Sequence, residues 1–294
     1  MLSSAAAVQS AWPDPFLFKI RDLVYQVAGI FQPDNRLRFL EERCARRMKD
    51  VGARNTRDYF DRLVISVDRE AELRNLLNEI TVGETCFFRN QPQLDALQNV
   101  VLPALIQAKQ RLPLRHLKIW SAGCSTGEEP YTLAAILNQL AQTKLAGFTF
   151  EILATDINDL SLRRAEAGNY GEYALRNVPP GFMQRYFETL GDQQQVGASL
   201  KAHVKFTRLN LLDDARMVFL KGMDIIFCCN VLIYFDGASK RRVIQHFFNN
   251  LLPGGYLFLG HSESLFGVNA DFRLVHFSGA TAYMRPAPQM GGAR

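Results

Sequence analysis

A mostly parallel α/β sheet preceded by a small all-α domain is the fold this sequence predicts, on three observations. The first eighty-odd residues carry apolar side chains at helical spacing and few strand-like runs. From about Gln93 onward, short apolar runs alternate with helical segments, which implies parallel strands covered on both faces. Between Gly168 and Lys205 the chain turns polar and irregular, as a small inserted subdomain would. A length of 294 residues suits two domains, one of them small.

Taken in order, the first helices are expected at Phe16–Gly29, Arg36–Asp50, Thr56–Leu63 and Val67–Ile80. Gly29 and Gly52 stand where helices stop, and Asp68 could cap the last of the four. In the second helix, Leu37, Leu40, Cys44 and Met48 share one face at about 100° per residue and should pack inward. Arg36, Arg43 and Arg47 form a stripe beside that face, with Arg46 further round. Thr81–Pro92 has no periodicity and reads as a connector.

A helix Pro92–Lys109 then leads to strand Leu117–Trp120, a glycine-rich turn and helix Pro130–Ala141. Strand Phe148–Thr155, a helix from Leu160, strands Val204–Leu209 and Asp224–Cys228, and helix Ala238–Leu251 follow. The turn Leu251-Leu252-Pro253-Gly254-Gly255 precedes strand Tyr256–Gly260. Strands Phe272–Phe277 and Ala280–Arg285, joined by Ser278-Gly279, make an antiparallel pair at the end.

Composition narrows the class. Apolar residues make up 48% and charged residues 21%, which fits an ordered globular chain and not a disordered one or a coiled coil. The most apolar stretch, Met223–Phe235, contains Asp224 and Asn230 and falls short of the roughly 20 residues a spanning helix needs, so no membrane insertion is expected. The N-terminus lacks the basic start and apolar block of a secretory signal. Cysteines at 44, 86, 124, 228 and 229 form no C-x-x-C pair and stand beside no His cluster, which argues against disulfides and a zinc site and for a cytoplasmic location. The net charge of +5 is modest for a nucleic-acid binder. It is concentrated between Asp34 and Arg57, where eight basic residues face four acidic ones, so an acidic partner is expected there.

Lys118-Ile119-Trp120-Ser121-Ala122-Gly123-Cys124-Ser125-Thr126-Gly127-Glu128-Glu129-Pro130 runs from strand through turn to helix. In an open α/β sheet, nucleotide-like ligands bind outside the carboxyl ends of the strands. The glycines alone are weak, because tight strand–helix turns often need them. The glutamates are more telling: a pyrophosphate would sit on the helix N-terminus, and Glu128 and Glu129 would repel it. Ser125-x-x-Glu128 fits a capping box and Pro130 suits a first helical turn, which accounts for one glutamate but not two. A ligand with a cationic end and no phosphate fits better, and S-adenosyl-L-methionine carries an ammonium and a sulfonium; NAD and ATP are disfavoured. Asp156, ending the second strand, could hold ribose hydroxyls or cap the next helix, although Asn158 and Asp159 suit capping better. Asn210 could read an adenine edge or cap a loop.

Together these strings resemble one family. NEITVGETCFFRN from Asn78, IWSAGCSTGEEPYTLA from Ile119, ATDIN from Ala154, FCCNVLIYFD from Phe227 and LLPGGYLFLGHSESL from Leu251 are similar to the CheR family. Its members are S-adenosylmethionine-dependent protein-glutamate O-methyltransferases of bacterial chemotaxis and related sensory pathways. The likeness runs from the basic helix near Arg36 to Arg285. It implies a helical receptor-recognition domain at 14–80 and a connector at 81–92 that contributes to the cofactor site. A class I methyltransferase domain at 93–287 would follow, Rossmann-like, with an antiparallel last strand and an inserted antiparallel β subdomain at about 170–207.

Carried over residue by residue, the resemblance puts Gly83, Thr85, Arg89, Glu129, Asp156, Asn210, Leu211, Cys228, Cys229 and Asn230 at the cofactor. Arg89 and Tyr234 would orient the acceptor beside the methyl group. Many family members have asparagine at the position of Gly83, so one side-chain hydrogen bond is missing here. Many also read Cys-Arg-Asn where this chain has Cys228-Cys229-Asn230, a departure that bears on rate and substrate orientation. His261, on a loop at a strand end, and Cys124, in the turn, are read as structural.

The implied reaction transfers a methyl group from S-adenosyl-L-methionine to glutamate carboxylates of chemoreceptors, giving glutamyl methyl esters and S-adenosyl-L-homocysteine. A glutamate with a pKa of ~4.3 is already ionised at neutral pH and needs no general base. Alignment and exclusion of water then do most of the catalysis. Arg36, Arg43, Arg46 and Arg47 would meet the acidic helical bundle of a receptor's cytoplasmic part; a solvated face paired with Glu41 and Glu42 is the plainer account. The enzyme is expected to be a cytoplasmic monomer with no metal. Two alternatives stay open: a methyltransferase of another acceptor, and a catalytically weak, cofactor-bound signalling adaptor.

Overall fold

Asp14 opens the first helix, its carboxylate accepting the Phe16 N–H at 2.8 Å, with Pro15 at the first helical position. The computed structural model describes residues 14–81 and 83–287, and the chain divides into two units, Met1–Thr81 and Val82–Arg294. The first unit holds α1 (Pro15–Ala28), α2 (Leu37–Val51), α3 (Thr56–Ile65) and α4 (Arg69–Ile80). Gly29 and Gly52 end α1 and α2 in the left-handed region, as their positions predicted. Leu17, Ile20, Val24, Leu40, Cys44, Tyr59, Leu63, Leu76 and Leu77 form the buried interior of this unit. Asp68 stands at the N-cap of α4 but does not cap it; its carboxylate is taken by Ser66 and Arg62 instead.

Arg47 departs from the expected outward stripe. Its guanidinium lies inside the unit, with 14% side-chain exposure, and donates to Glu72 through Nε at 3.0 Å and Nη2 at 2.7 Å. Glu72, 4% exposed, also accepts the Tyr59 hydroxyl at 2.8 Å. Placed three residues after Cys44, Arg47 borders the packed face of α2, where α4 brings a carboxylate to it. It is a structural cation. Arg36 and Arg43 stack on opposite sides of Phe39 in sequence, their guanidinium carbons 5.2 and 4.7 Å from its ring centre. Arg43 and Arg46 both approach Glu79 at 3.8 Å, and Arg46 is 62% exposed.

In the second unit, α5 (Gln91–Ala96) passes through a π-helical turn, Leu97–Val101, into α6 (Leu102–Lys109), where one continuous helix was expected. Two parallel strands follow: β1 (His116–Ala122) pairs with β2 (Thr149–Asp156), joined by α7 (Glu128–Ala141). After α8 (Asp159–Ala167) comes a small antiparallel sheet of β3 (Asn169–Tyr170), β4 (Phe187–Leu190) and β5 (Gln193–Val196). The chain then returns to the main sheet through β6 (Val204–Arg208), β7 (Met223–Cys228), the helix Gly237–Asn250, β8 (Leu251–Leu259), β9 (Arg273–Phe277) and β10 (Ala280–Met284).

The main sheet has the order β6-β2-β1-β7-β8-β10-β9, with β10 antiparallel to both of its neighbours. Both faces are buried, and the strands show it by alternation. Ile225 and Phe227 of β7 join one apolar cluster with Ile119, Leu133, Leu137 and Phe258; Ile226 and Cys228 join another with Trp120, Val243, Phe247 and Leu257. Lys109 and Asp224, paired at 2.7 Å, tie α6 to β7, and Asp224 also accepts the Lys118 N–H at 2.9 Å.

Leu251–Gly255 proves to be part of β8 and not a turn before it. Met223 pairs with Leu251 and Ile225 with Tyr256, so extra residues bulge out of the ladder between them. Gly254, at φ +82°, donates to the Arg285 carbonyl at 2.8 Å, and the Arg285 N–H returns to Gly255 at 2.9 Å. Left-handed geometry and neighbouring backbone let the Pro-Gly-Gly segment stay in the sheet. Among the described residues, no helix is long and apolar enough to cross a membrane.

Removing Glu72 takes away the buried acceptor of Arg47, which keeps only Asp50 at the surface at 2.8 Å, and the acceptor of the Tyr59 hydroxyl. Glu72→Ala is expected to destabilise that unit by about 3 kcal/mol or more. Amide hydrogen exchange at Leu40 and Cys44 should then speed up by roughly 100-fold.

Candidate cofactor and transfer site

The carboxyl ends of β1, β2 and β7 meet where the chain, having run from β1 outward to β6, crosses back to β7 on the other side. Such a switch point leaves a crevice between the loops. Three backbone donors of the turn after β1 are spent on β2. The Gly123 and Cys124 N–H groups donate to the Thr155 carbonyl at 2.7 and 2.9 Å, and Ser125 N–H donates to Asp156 Oδ2 at 2.8 Å. Asp156 Oδ1 accepts the Asn158 N–H at 2.9 Å. Asn158 itself caps α8, accepting from Leu160 and Ser161, as expected. Gly123 has to be glycine: at φ +79°, an added Cβ would lie 2.4 Å from a methyl of Val231 on the exit of β7.

The capping box does not form. Gly127, at φ +95°, is the N-cap of α7, and Glu128 takes a hydrogen bond from Thr126 Oγ1 at 2.7 Å. Ser125 adopts φ +50°, which turns its hydroxyl away from the helix. That hydroxyl oxygen is buried and has no hydrogen-bond partner in the structure. It faces Gly83, where an added Cβ would lie 2.3 Å from it. The absence of a side chain at 83 and the position of Ser125 are therefore one arrangement.

Glu129, half-buried, accepts the Ser121 hydroxyl at 2.7 Å. Burial pushes its pKa up to about 7, opposed by Ser121, Cys229 and the positive charge of Arg89. Burial also raises the pKa of Asp156, against backbone hydrogen bonds from Asn158, Ser125 and Ile157. Cys229 lies beside Glu129, its thiol pKa raised well above the usual value chiefly by burial; its Sγ is 3.7 Å from Gln93 Oε1. Gln93 in turn donates to the Leu259 carbonyl at 2.5 Å. Arg89 is exposed and donates to the Glu84 carbonyl at 2.9 Å. Thr85 lies half-buried between Glu84 and the buried Cys86.

Other predicted residues contribute differently. Asn210 turns its side-chain oxygen to the Leu212 N–H at 3.1 Å, and Leu211 is buried. Cys228 is fully buried, so its side chain belongs to the core and only its backbone faces the strand end. Asn230 adopts φ +61°, and Tyr234 closes the short turn Leu232–Tyr234 that follows. Arg36, Arg43, Arg46 and Arg47 all belong to the helical unit. His261 is exposed and Cys124 buried. Two residues escaped the sequence reading: Gln93, and Glu263, whose carboxylate accepts backbone N–H groups from the segments leaving β7 and β8.

Three non-glycine residues with positive φ occur among the described residues: Phe88, Ser125 and Asn230. Each costs about 1 kcal/mol or more, and strain of this kind collects at functional sites. Here one precedes Arg89, one lies in the glycine turn and one follows β7. Phe88 is held by its N–H to Thr132 Oγ1 at 3.2 Å and by its ring on Phe182.

The family description "CheR methyltransferase, SAM binding domain" matches residues 83–280, and "CheR methyltransferase, all-alpha domain" matches residues 17–81. The chain belongs to the CheR methyltransferase family. Chemotaxis protein methyltransferase 2 of Vibrio cholerae is 36% identical over 269 residues, covering 91% of this chain and 92% of that protein. The chemotaxis protein methyltransferase of Escherichia coli is 33% identical over 278 residues, covering 93% and 91%. Chemotaxis protein methyltransferase 1 of Pseudomonas aeruginosa is 33% identical over 271 residues, covering 91% and 96%. S-adenosyl-L-methionine is therefore the cofactor, and an all-α domain precedes a methyltransferase domain built on a mostly parallel sheet with antiparallel end strands. This CheR chain fits that cofactor on its own residues: carboxylates crowd the turn, a buried serine hydroxyl lacks a partner, and glycine keeps position 83 open.

The raised pKa of Glu129 has a stability consequence with a definite sign. The folded chain holds this proton more tightly than an unfolded one, where the pKa is ~4.3. Stability is thus kept below that value and lost as the pH rises through about 7. Glu129→Gln keeps the acceptor for Ser121 and removes the charge. It should raise the melting temperature of ligand-free protein by several degrees at pH 8, for about 3 kcal/mol, and leave it unchanged near pH 4.5. Calorimetric scans at both pH values check this; an equal offset at both would mean the effect is not one of ionisation.

Proposed function

We propose that this methyltransferase esterifies glutamate side chains in the cytoplasmic helical bundle of chemoreceptors, releasing S-adenosyl-L-homocysteine. The observation that carries the reading is the charge pattern of the site. Arg89 is an exposed guanidinium close enough to act electrostatically on Glu129, at a crevice bordered by the carboxylates of Glu129, Asp156 and Glu263. An acceptor drawn to that arginine is an anion.

When bound, the cofactor supplies an electrophilic methyl group on a positively charged sulfur. Asp156 would hold the ribose, Glu129 the cationic methionine end, and Asn210 with Leu211 the adenine. Gly83, Thr85 and the Cys228-Cys229-Asn230 strand end would line the remainder. Arg89 and Tyr234 orient the acceptor carboxylate by charge-assisted hydrogen bonding. The carboxylate is ionised at neutral pH, so no residue has to remove a proton, and the protein contributes alignment and shelter from water.

Recognition of the receptor falls to Arg36, Arg43 and Arg46. Arg47 drops out of this role because it is already paired with buried Glu72. A basic face meeting an acidic bundle acts mainly on association rate, and salt weakens it.

One assay tests both parts. Methyl transferred from labelled cofactor to receptor-bearing membranes should be released as methanol by mild base; base-stable label would refute the ester. No transfer despite binding of S-adenosyl-L-homocysteine would favour an adaptor. With Arg36 and Arg46 both changed to glutamate, low-salt transfer should fall by roughly tenfold or more, and the gap should narrow as salt shortens the electrostatic reach below about 8 Å. Affinity for S-adenosyl-L-homocysteine should not change. Wild-type transfer by the double variant at low salt would move the receptor surface elsewhere.

A further inference from the structure

Glu263 lies on the loop after β8, in Gly260-His261-Ser262-Glu263-Ser264, a segment whose histidine drew attention in the sequence. Its carboxylate gathers three backbone donors. Oε2 accepts the N–H of Gly260 at 2.7 Å and of Asn230 at 2.8 Å, and Oε1 accepts that of Ile233 at 3.2 Å. Two of these donors belong to the segment leaving β7, which carries Asn230 and Tyr234. Gly260 completes the arrangement: an added Cβ there would lie 2.7 Å from Glu263 Oε2 and 2.8 Å from the Asn230 nitrogen. Carboxylate, glycine and left-handed asparagine interlock.

Amides beyond the end of a strand have lost their ladder partners and would otherwise turn to water. A fixed carboxylate satisfies them in one geometry, and hydrogen bonds to a charged acceptor are among the stronger ones. The Ile233 bond matters most for chemistry. Ile233 is the middle residue of the turn Leu232–Tyr234, so the residue that carries the candidate acceptor-orienting hydroxyl is its immediate neighbour.

We propose that Glu263 is a positioning residue for methyl transfer, fixing the Asn230–Tyr234 turn so that Tyr234 meets the acceptor in one orientation. This rests on the reading of Tyr234 given under the proposed function. Glu263→Gln preserves volume; its amide oxygen can serve Gly260 and Asn230, which leaves an amino group against the Ile233 N–H. It is expected to lower kcat by roughly tenfold or more, while affinity for S-adenosyl-L-homocysteine stays within about threefold.

The deciding readout is a double-mutant cycle with Tyr234→Phe. If Glu263 acts through Tyr234, adding Glu263→Gln to Tyr234→Phe should change kcat by less than about twofold. Losses that multiply would overturn the proposal, and so would an unchanged kcat in Glu263→Gln alone. Should that variant melt too low to assay, Glu263→Asp, which keeps the charge, takes its place in the same cycle with the same two outcomes. The wild-type control keeps the two claims apart: failure of wild type to form base-labile ester refutes the substrate, whereas multiplying losses against an active wild type refute the role of Glu263.

Discussion

Where β2 ends, the Asp156 carboxylate accepts the amide hydrogens of Ser125 and Asn158, and most of the site follows from that contact. The two amides come from opposite sides, one from the turn after β1 and one from the start of α8. Holding both fixes the turn against β2, and the Gly123 and Cys124 amides reinforce it through the Thr155 carbonyl. With the turn fixed, Ser125 sits in the left-handed region, Gly127 becomes the N-cap of α7, and Glu129 is carried to Ser121. Tyr170 of the small sheet locks the far side by donating its hydroxyl to the Thr126 carbonyl at 2.6 Å.

Carboxylates recur as organisers in this unit. Asp224 binds Lys109 and the Lys118 amide beneath the sheet, Asp156 binds the first turn, and Glu263 binds the exit of β7. Near the cofactor crevice this has a price in desolvation: burial raises the pKa of Glu128, Glu129 and Asp156 together. A phosphate would worsen that crowding, and a cationic ligand relieves it. The charge that destabilises the turn would thus favour a cationic ligand over a phosphate.

Much of the architecture was legible because it rests on local signals. Alternating apolar runs gave the parallel strands, and Gly29, Gly52 and Asn158 marked helix ends where they are found. Failures came where a distant contact overrode a local pattern. Ser125 and Glu128 have capping-box spacing, but the pull of Asp156 on the Ser125 amide leaves the serine hydroxyl facing Gly83. Leu251–Gly255 has turn composition, yet pairing with β7 and Arg285 keeps it in β8. Arg47 looks like its neighbours on a helical wheel until α4 presents Glu72. Glu263 was out of reach for the same reason, since its partners at the β7 exit lie about thirty residues earlier in the chain.

The central proposal, that the carboxylates around the first turn select a cationic cofactor, makes a measurable prediction at neutral pH. With its pKa raised to about 7 by burial, Glu129 would hold its proton in part of the ligand-free molecules at pH 7, and a cation bound beside it would favour the ionised form. Titration calorimetry of S-adenosyl-L-methionine in buffers of different ionisation enthalpy counts the protons exchanged. Release of a fraction of a proton per molecule bound, abolished by Glu129→Gln, is the result the account predicts. No release, or net proton uptake, would contradict it.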